Sequence, residues 1–128
     1  MMHIEHIAIW TRQLEELKAF YETYFSASAN QKYTNPKTHF ESYFLTFADG
    51  PRLELMQRPD IEGTHPAEAF VGYSHLAFSA GSREEVDRLT QRLAEDGYQV
   101  VGQPRTTGDG YYESVVLDPD GNRVEISV

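Results

Sequence analysis

Two histidines and two glutamates recur at matching places in this chain, His6 with Glu54 and His75 with Glu125. The members of the first pair stand 48 residues apart and those of the second 50. Imidazole nitrogen and carboxylate oxygen together suit divalent nickel, zinc or cobalt, and also manganese or iron. Two of each on a six-coordinate ion leave room for water or substrate, so such a site can act as a Lewis acid. Taken singly, each residue has an ordinary reading. A histidine on a mixed strand is usually a satisfied or solvent-facing side chain, and a glutamate on a half-solvated sheet usually faces water. Four such residues at equivalent places in two repeats point instead to a joint metal site.

The elements that must position them follow from local pattern. Asp118-Pro119-Asp120-Gly121 is strong turn chemistry, because Pro119 presets one backbone angle and Gly121 accepts the positive angle of a tight hairpin. The strand beyond it alternates, with Val124, Ile126 and Val128 on one face and Glu125 on the other. The same phrase occurs earlier: Asp49-Gly50 precedes Arg52-Leu53-Glu54-Leu55, with the glutamate again four residues after the glycine. Ile4 to Trp10 reads as a strand with Ile7 and Ile9 on one face and His6, Ala8 and Trp10 on the other. Thr11 is placed to cap a helix in which Leu14, Leu17, Phe20, Tyr21, Tyr24 and Phe25 form the apolar stripe, ending near Ser26. Phe40 to Phe47 and Arg52 to Gln57 read as strands, and a short element between Ala27 and Tyr33 completes the order strand, helix, strand, strand, strand.

A second series begins at Ser74-His75-Leu76-Ala77-Phe78, which alternates as the first strand does. Ser82-Arg83-Glu84-Glu85 is a capping box, Val86, Leu89 and Leu93 form a helical stripe, and Gly97 stops it. Tyr98 to Gly102 reads as a strand, Pro104 to Gly110 as a Gly-rich loop, and Tyr112 to Leu117 parallels Phe40 to Leu45. The expectation is an α+β fold of two βαβββ modules, 1–58 and 73–128, joined by a linker at 59–72 that contains Pro59, Gly63, Pro66 and Gly72. A pseudo-twofold relation between two curved sheets would turn both histidine and glutamate faces to one central cavity.

Other candidates are weaker. His3 has the wrong parity to join His6, and His39 and His65 sit in or beside loops, so all three read as surface residues. Asp118 and Asp120 lack the alternating oxygen ligands of a calcium loop and belong to the turn. Thr107-Gly108-Asp109-Gly110 lacks the lysine and following helix of a phosphate loop, which leaves a lid or a plain loop.

The chain has 128 residues with 40% hydrophobic content, enough for one compact domain or two small modules sharing a core. Its formal net charge of -9 gives no basic footprint, which argues against nucleic acid or an anionic membrane as partner and for a small molecule. The absence of cysteine excludes disulfides, thiolate metal sites and a cysteine nucleophile. No basic segment leading into an apolar run opens the sequence and no stretch approaches a membrane span, so a soluble, cytoplasmic protein is expected.

The chain resembles the vicinal oxygen chelate superfamily, the glyoxalase, bleomycin-resistance and extradiol-dioxygenase group. The resemblance rests on His6-Ile7-Ala8-Ile9, the helix end Phe20 to Phe25, Leu53-Glu54-Leu55, His75-Leu76-Ala77-Phe78 and Leu117 to Ile126. It implies paired βαβββ modules forming an incomplete β-barrel around a metal, commonly in homodimers. Ring-cleaving dioxygenases and fosfomycin-resistance thiol transferases of the group use positions matching His6, His75 and Glu125. Glyoxalase I is the better likeness, because its metal positions match Glu54 as well. That likeness implies a lyase or isomerase of lactoylglutathione lyase type, in which a glutamate moves a proton between neighbouring carbons of a small α-hydroxycarbonyl-type substrate. Either glutamate could serve; Glu125 is favoured, with Glu54 as its partner. Glutathione-using glyoxalases carry an arginine four residues after the first histidine and an asparagine four after the first glutamate, where this chain has Trp10 and Arg58. Trp10 is read as an aromatic wall of the substrate pocket or a core residue, and Arg58 as a holder of an anionic group or a surface charge. A ligand-sequestering binding protein of the antibiotic-resistance kind is the alternative from a different functional class, and a dioxygenase or thiol transferase on the same scaffold is the other.

Overall fold

A computed structural model describes residues 1–64 and 69–128 in two compact units, 1–64 and 65–128. His65, with the middle of the expected linker, lies outside the described residues.

In the first unit β1 (His6–Trp10) leads to α1 (Leu14–Phe25), two short strands β2 (Ser28–Ala29) and β3 (Tyr33–Thr34), then β4 (Glu41–Thr46) and β5 (Arg52–Gln57). The sheet order is β1, β5, β4, β2, with β3 also on β4. β1 and β5 run parallel and β4 and β5 antiparallel. The helix is the crossover that a parallel pair requires. It buries Leu14, Leu17, Phe20, Tyr21 and Phe25, and the same core holds Tyr43, Leu45, Leu53 and Leu55 from the sheet. The short element expected between Ala27 and Tyr33 is β2, and β3 adds a further short strand.

The start of α1 differs from expectation. Thr11 Oγ1 accepts from the Gln13 amide at 3.0 Å, but the cap position is Gln13, whose own side chain makes no cap bond. The Leu14 amide donates instead to the Gln57 side-chain oxygen at 2.9 Å, so the end of β5 satisfies a free amide of the helix. At the other end Ser26 takes the left-handed conformation. Arg12 donates to the carbonyls of Ile61 and Gly63, tying the segment that leaves β5 back to the start of the helix.

The second unit repeats the order as β6 (His75–Ser79), α2 (Arg83–Glu95), β7 (Val100–Thr106), β8 (Tyr112–Leu117) and β9 (Arg123–Ser127), with sheet order β6, β9, β8, β7. Val86, Leu89 and Leu93 of α2, with Val116, Val124 and Ile126 of the sheet, form its core. Ser82 caps α2 by accepting from the Glu85 amide at 3.2 Å, while the Glu85 carboxylate pairs with Arg88 one turn on. The helix stops in a Schellman arrangement: the Tyr98 amide donates to the Leu93 carbonyl, the Gly97 amide to the Ala94 carbonyl, and Gly97 has φ +93°.

β7 extends past the expected Gly102 and takes in Pro104, so the loop before β8 is shorter than the sequence suggested. Irregularities in the β7–β8 register flank Gly102. Pro104, which has no amide to donate, lies on β7, an edge strand of the sheet, where it is tolerated. The remaining loop is tied on itself, with the Thr107 amide donating to Tyr111 O at 2.7 Å and the Tyr111 amide to Thr107 Oγ1 at 3.1 Å.

Candidate functional site

The turn between β8 and β9 is built around Asp118, whose side chain is buried. Its carboxylate accepts from the amides of Asp120 and Asn122 and from the Asn122 side chain, each at 2.9 Å. Gly121 closes the turn at φ +84°. The aspartate is therefore occupied in fixing the hairpin, as the sequence indicated. That hairpin sets the register in which Glu125 faces Ala77 across the parallel β6–β9 pair and Val115 across the antiparallel β8–β9 pair.

His75 stands two residues before Ala77 on the same face. Its Nε2 lies 3.1 Å from the Glu125 carboxylate, with side chains 36% and 22% exposed. The first unit does the same with its own residues. Glu54 faces Ala8 across the β1–β5 pair, and His6 Nε2 lies 3.7 Å from its carboxylate, with side chains 40% and 15% exposed. Alanine stands at both facing positions, and both glutamate side chains are largely covered. The structure thus brings His6 to Glu54 and His75 to Glu125. Among the described residues, no group of three or more histidine, aspartate or glutamate side chains forms a metal cluster.

The donor set nevertheless fits a divalent cation. In each pair Nε2 is turned toward the glutamate while Nδ1 faces a polar atom of the preceding residue, Ser74 Oγ at 3.0 Å for His75 and Glu5 Oε2 at 3.6 Å for His6. His75 is held as metal-binding histidines are, one ring nitrogen hydrogen-bonded to an outer partner and the other presented, whereas His6 has a looser ion-pair contact on that side.

The surroundings of the two glutamates differ. Burial pushes the Glu125 carboxyl up, and a hydrogen bond with Glu113 adds to the rise, while His75 opposes it. Glu113 was missed in the sequence because its apparent counterpart was Glu41. The ladders correct this by one residue: Phe44 faces Glu54 and Val115 faces Glu125, so the place of Glu113 in the first unit belongs to Ser42. Strand parity counted back from the hairpin could have found it.

Trp10 shares the His6 face by parity and is exposed, its ring edge-on to Phe40 at 6.2 Å. The Arg58 guanidinium lies 4.7 Å over the Trp10 ring and pairs with Asp60 at 2.7 Å. The core alternative for Trp10 is thereby set aside. His3 and His39 are exposed, the latter at φ +59° beside β4.

Comparison with known proteins agrees with this architecture. The family model described as Glyoxalase/Bleomycin resistance protein/Dioxygenase superfamily matches residues 3–126. The uncharacterized protein YqjT of Bacillus subtilis (strain 168) is 42% identical over 59 residues, 44% of this chain and 46% of that protein. Glutathione transferase FosA of Serratia marcescens is 36% identical over 56 residues, 44% of this chain and 37% of that protein. The matches span less than half the length of these curated relatives. A solved structure described as a possible glyoxalase from Bacillus cereus superposes with TM-score 0.74 at 26% identity, over 100% of both chains.

Proposed function

The chain belongs to the glyoxalase, bleomycin resistance protein and dioxygenase superfamily, and from that premise we propose that it is a metal-dependent lyase or isomerase of glyoxalase type. Its substrate is a small α-hydroxycarbonyl or a related molecule with two adjacent oxygens. His6, Glu54, His75 and Glu125 are the ligands, for nickel, zinc or cobalt in the first place and for manganese or iron as substitutes. One observation supports this above all: the same histidine–glutamate pair recurs at the same strand and register in both units.

When bound, a divalent cation supplies Lewis acidity toward the two substrate oxygens. A Glu125 carboxylate oxygen takes the proton from one substrate carbon and returns it to the neighbouring carbon, with Glu54 as its counterpart. Trp10 forms an aromatic wall and Arg58 attracts an anionic part of the substrate. Because these two stand where glutathione-using glyoxalases have arginine and asparagine, turnover of the glutathione hemithioacetal of methylglyoxal is expected to be weak. The protein works as a homodimer, which light scattering on the purified chain would check.

Metal analysis of protein purified without a histidine tag, before and after chelation, tests the central claim. Stoichiometric metal, or rebinding of nickel, cobalt or zinc, is the expected result. Absence of both sinks the reading. Local identity to FosA supports a second reading, thiol transfer at His6, His75 and Glu125 alone. On that reading Glu54→Gln is nearly harmless; loss of metal in that variant rejects it.

A further inference from the structure

One row along the sheet from Glu54, the first unit carries a patch of aromatic rings that meets solvent. Trp10 faces Met56 across the β1–β5 pair, Met56 faces Ser42 across β4–β5, and Ser42 faces Tyr33 across β3–β4. The row of Ala8, Glu54 and Phe44 stands two residues along the same strands, a step of about 6.6 Å on the same face. Phe40, half-buried just ahead of β4, links the two ends of the aromatic row, its ring 6.2 Å from Trp10 and 6.1 Å from Tyr33. Rings that served only to hold β3 against β4 would be covered, yet Trp10 is 42% and Tyr33 53% exposed. Scattered exposed apolar residues are ordinary, whereas rings in mutual contact beside convergent polar groups are the usual lining of a ligand site.

The face of the Trp10 ring already carries one flat group. The Arg58 guanidinium lies 4.7 Å over it and pairs with Asp60 at 2.7 Å. Both side chains of that ion pair are exposed, and at such a site an ion pair and a cation on a ring are each held weakly against water. A guanidinium and an aromatic ring are both planar, and both stack on indole. We infer that Arg58 is a stand-in: the substrate carries an aromatic ring next to its pair of oxygens, and this ring takes the guanidinium's seat on Trp10, with Phe40 and Tyr33 at its edge. The inference rests on the proposed site in one respect, that the oxygen pair lies over Glu54, one row away. It narrows the substrate to an aryl α-hydroxycarbonyl. It also gives the two residues distinct tasks, Trp10 as the platform and Arg58 as a cover that swings aside. An aliphatic α-hydroxycarbonyl would leave Arg58 in place and gain nothing from the rings.

The chain has one tryptophan, so its indole N–H gives a single 1H–15N signal that reports Trp10 alone. The probes are 2-hydroxyacetophenone and hydroxyacetone, which share the α-hydroxycarbonyl and differ in phenyl against methyl. Each is titrated into the metal-free and the zinc-loaded protein. The phenyl compound is expected to move the indole signal saturably, and hydroxyacetone to bind about tenfold more weakly. Arg58→Ala removes the group that holds the seat and should bind the phenyl compound about two- to fivefold more tightly, the worth of an exposed cation–π contact. Both probes are neutral, so the change of charge does not act on them. An indole signal unmoved by the phenyl compound up to its solubility limit overturns the inference, as do equal affinities for the two probes. Unchanged or weaker binding in Arg58→Ala overturns it too. So does a tryptophan fluorescence that acrylamide fails to quench in the purified protein, because something else then covers the ring. Failure of the proposed function looks different. If zinc does not bind while the phenyl compound still moves the indole signal, the metal reading falls and the aromatic seat stands; zinc binding with an unmoved indole signal gives the reverse.

Discussion

Glu54 and Glu125 occupy the same position in two ladders but not the same surroundings. The neighbouring strand sets Glu113 beside Glu125, whereas the corresponding place in the first unit holds Ser42. Glu125→Gln is expected to lower kcat by about 100-fold or more with a much smaller change in KM, as removal of a proton-transferring group does. Steady-state kinetics on whichever α-hydroxycarbonyl compound is turned over would check it. The four proposed ligands were legible because each stands on the polar side of an alternating strand, and alternation is a strictly local signal. Glu113 was not, since its place depends on a ladder shifted by one residue.

At the scale of elements, the turn from Asp118 to Asn122 is the clearest case of one side chain holding a hairpin. Asp118→Ala removes three accepted hydrogen bonds and is expected to cost about 2–4 kcal/mol, measured by urea unfolding, since bonds to a charged acceptor contribute more than neutral ones and do not add in full. The turn was readable from Asp-Pro-Asp-Gly, and the α2 cap from Ser82. The start of α1 was not, because the group that satisfies its free amide is Gln57, 43 residues away. A second element-scale prediction concerns pH. The Tyr43 hydroxyl donates to Glu15 at 2.7 Å and, with smaller help from Lys32, holds the Glu15 carboxyl below its ordinary value. A carboxylate with a lowered folded-state pKa contributes stability that is present above the unfolded value and lost as pH falls through the folded one. Wild type should therefore lose stability below pH about 4.5 more steeply than Tyr43→Phe, and the difference should fade near neutrality as far as the acid slope is concerned. Thermal unfolding of both proteins across that range would show it.

For the whole molecule, the repeat of strand, helix and three paired strands was legible because turn residues and apolar periodicity mark each unit twice over. Its boundaries were legible less well, and β7 departs furthest, starting two residues later and ending four residues later than expected as it runs through Pro104. If the four ligands bind metal in the folded protein alone, nickel at 100 times its dissociation constant should stabilise the fold by about 2.7 kcal/mol. A rise in the unfolding midpoint that chelator reverses, and that His6→Ala and His75→Ala each abolish, is the expected result. Pro104 carries one more consequence. β7 is an edge of its sheet, and a long edge with every amide free is a template on which strands of other molecules can grow. The missing donor and the irregular pairing around Gly102 break that template, so the same residue that made this segment look like a loop makes the edge a poor one for strand addition.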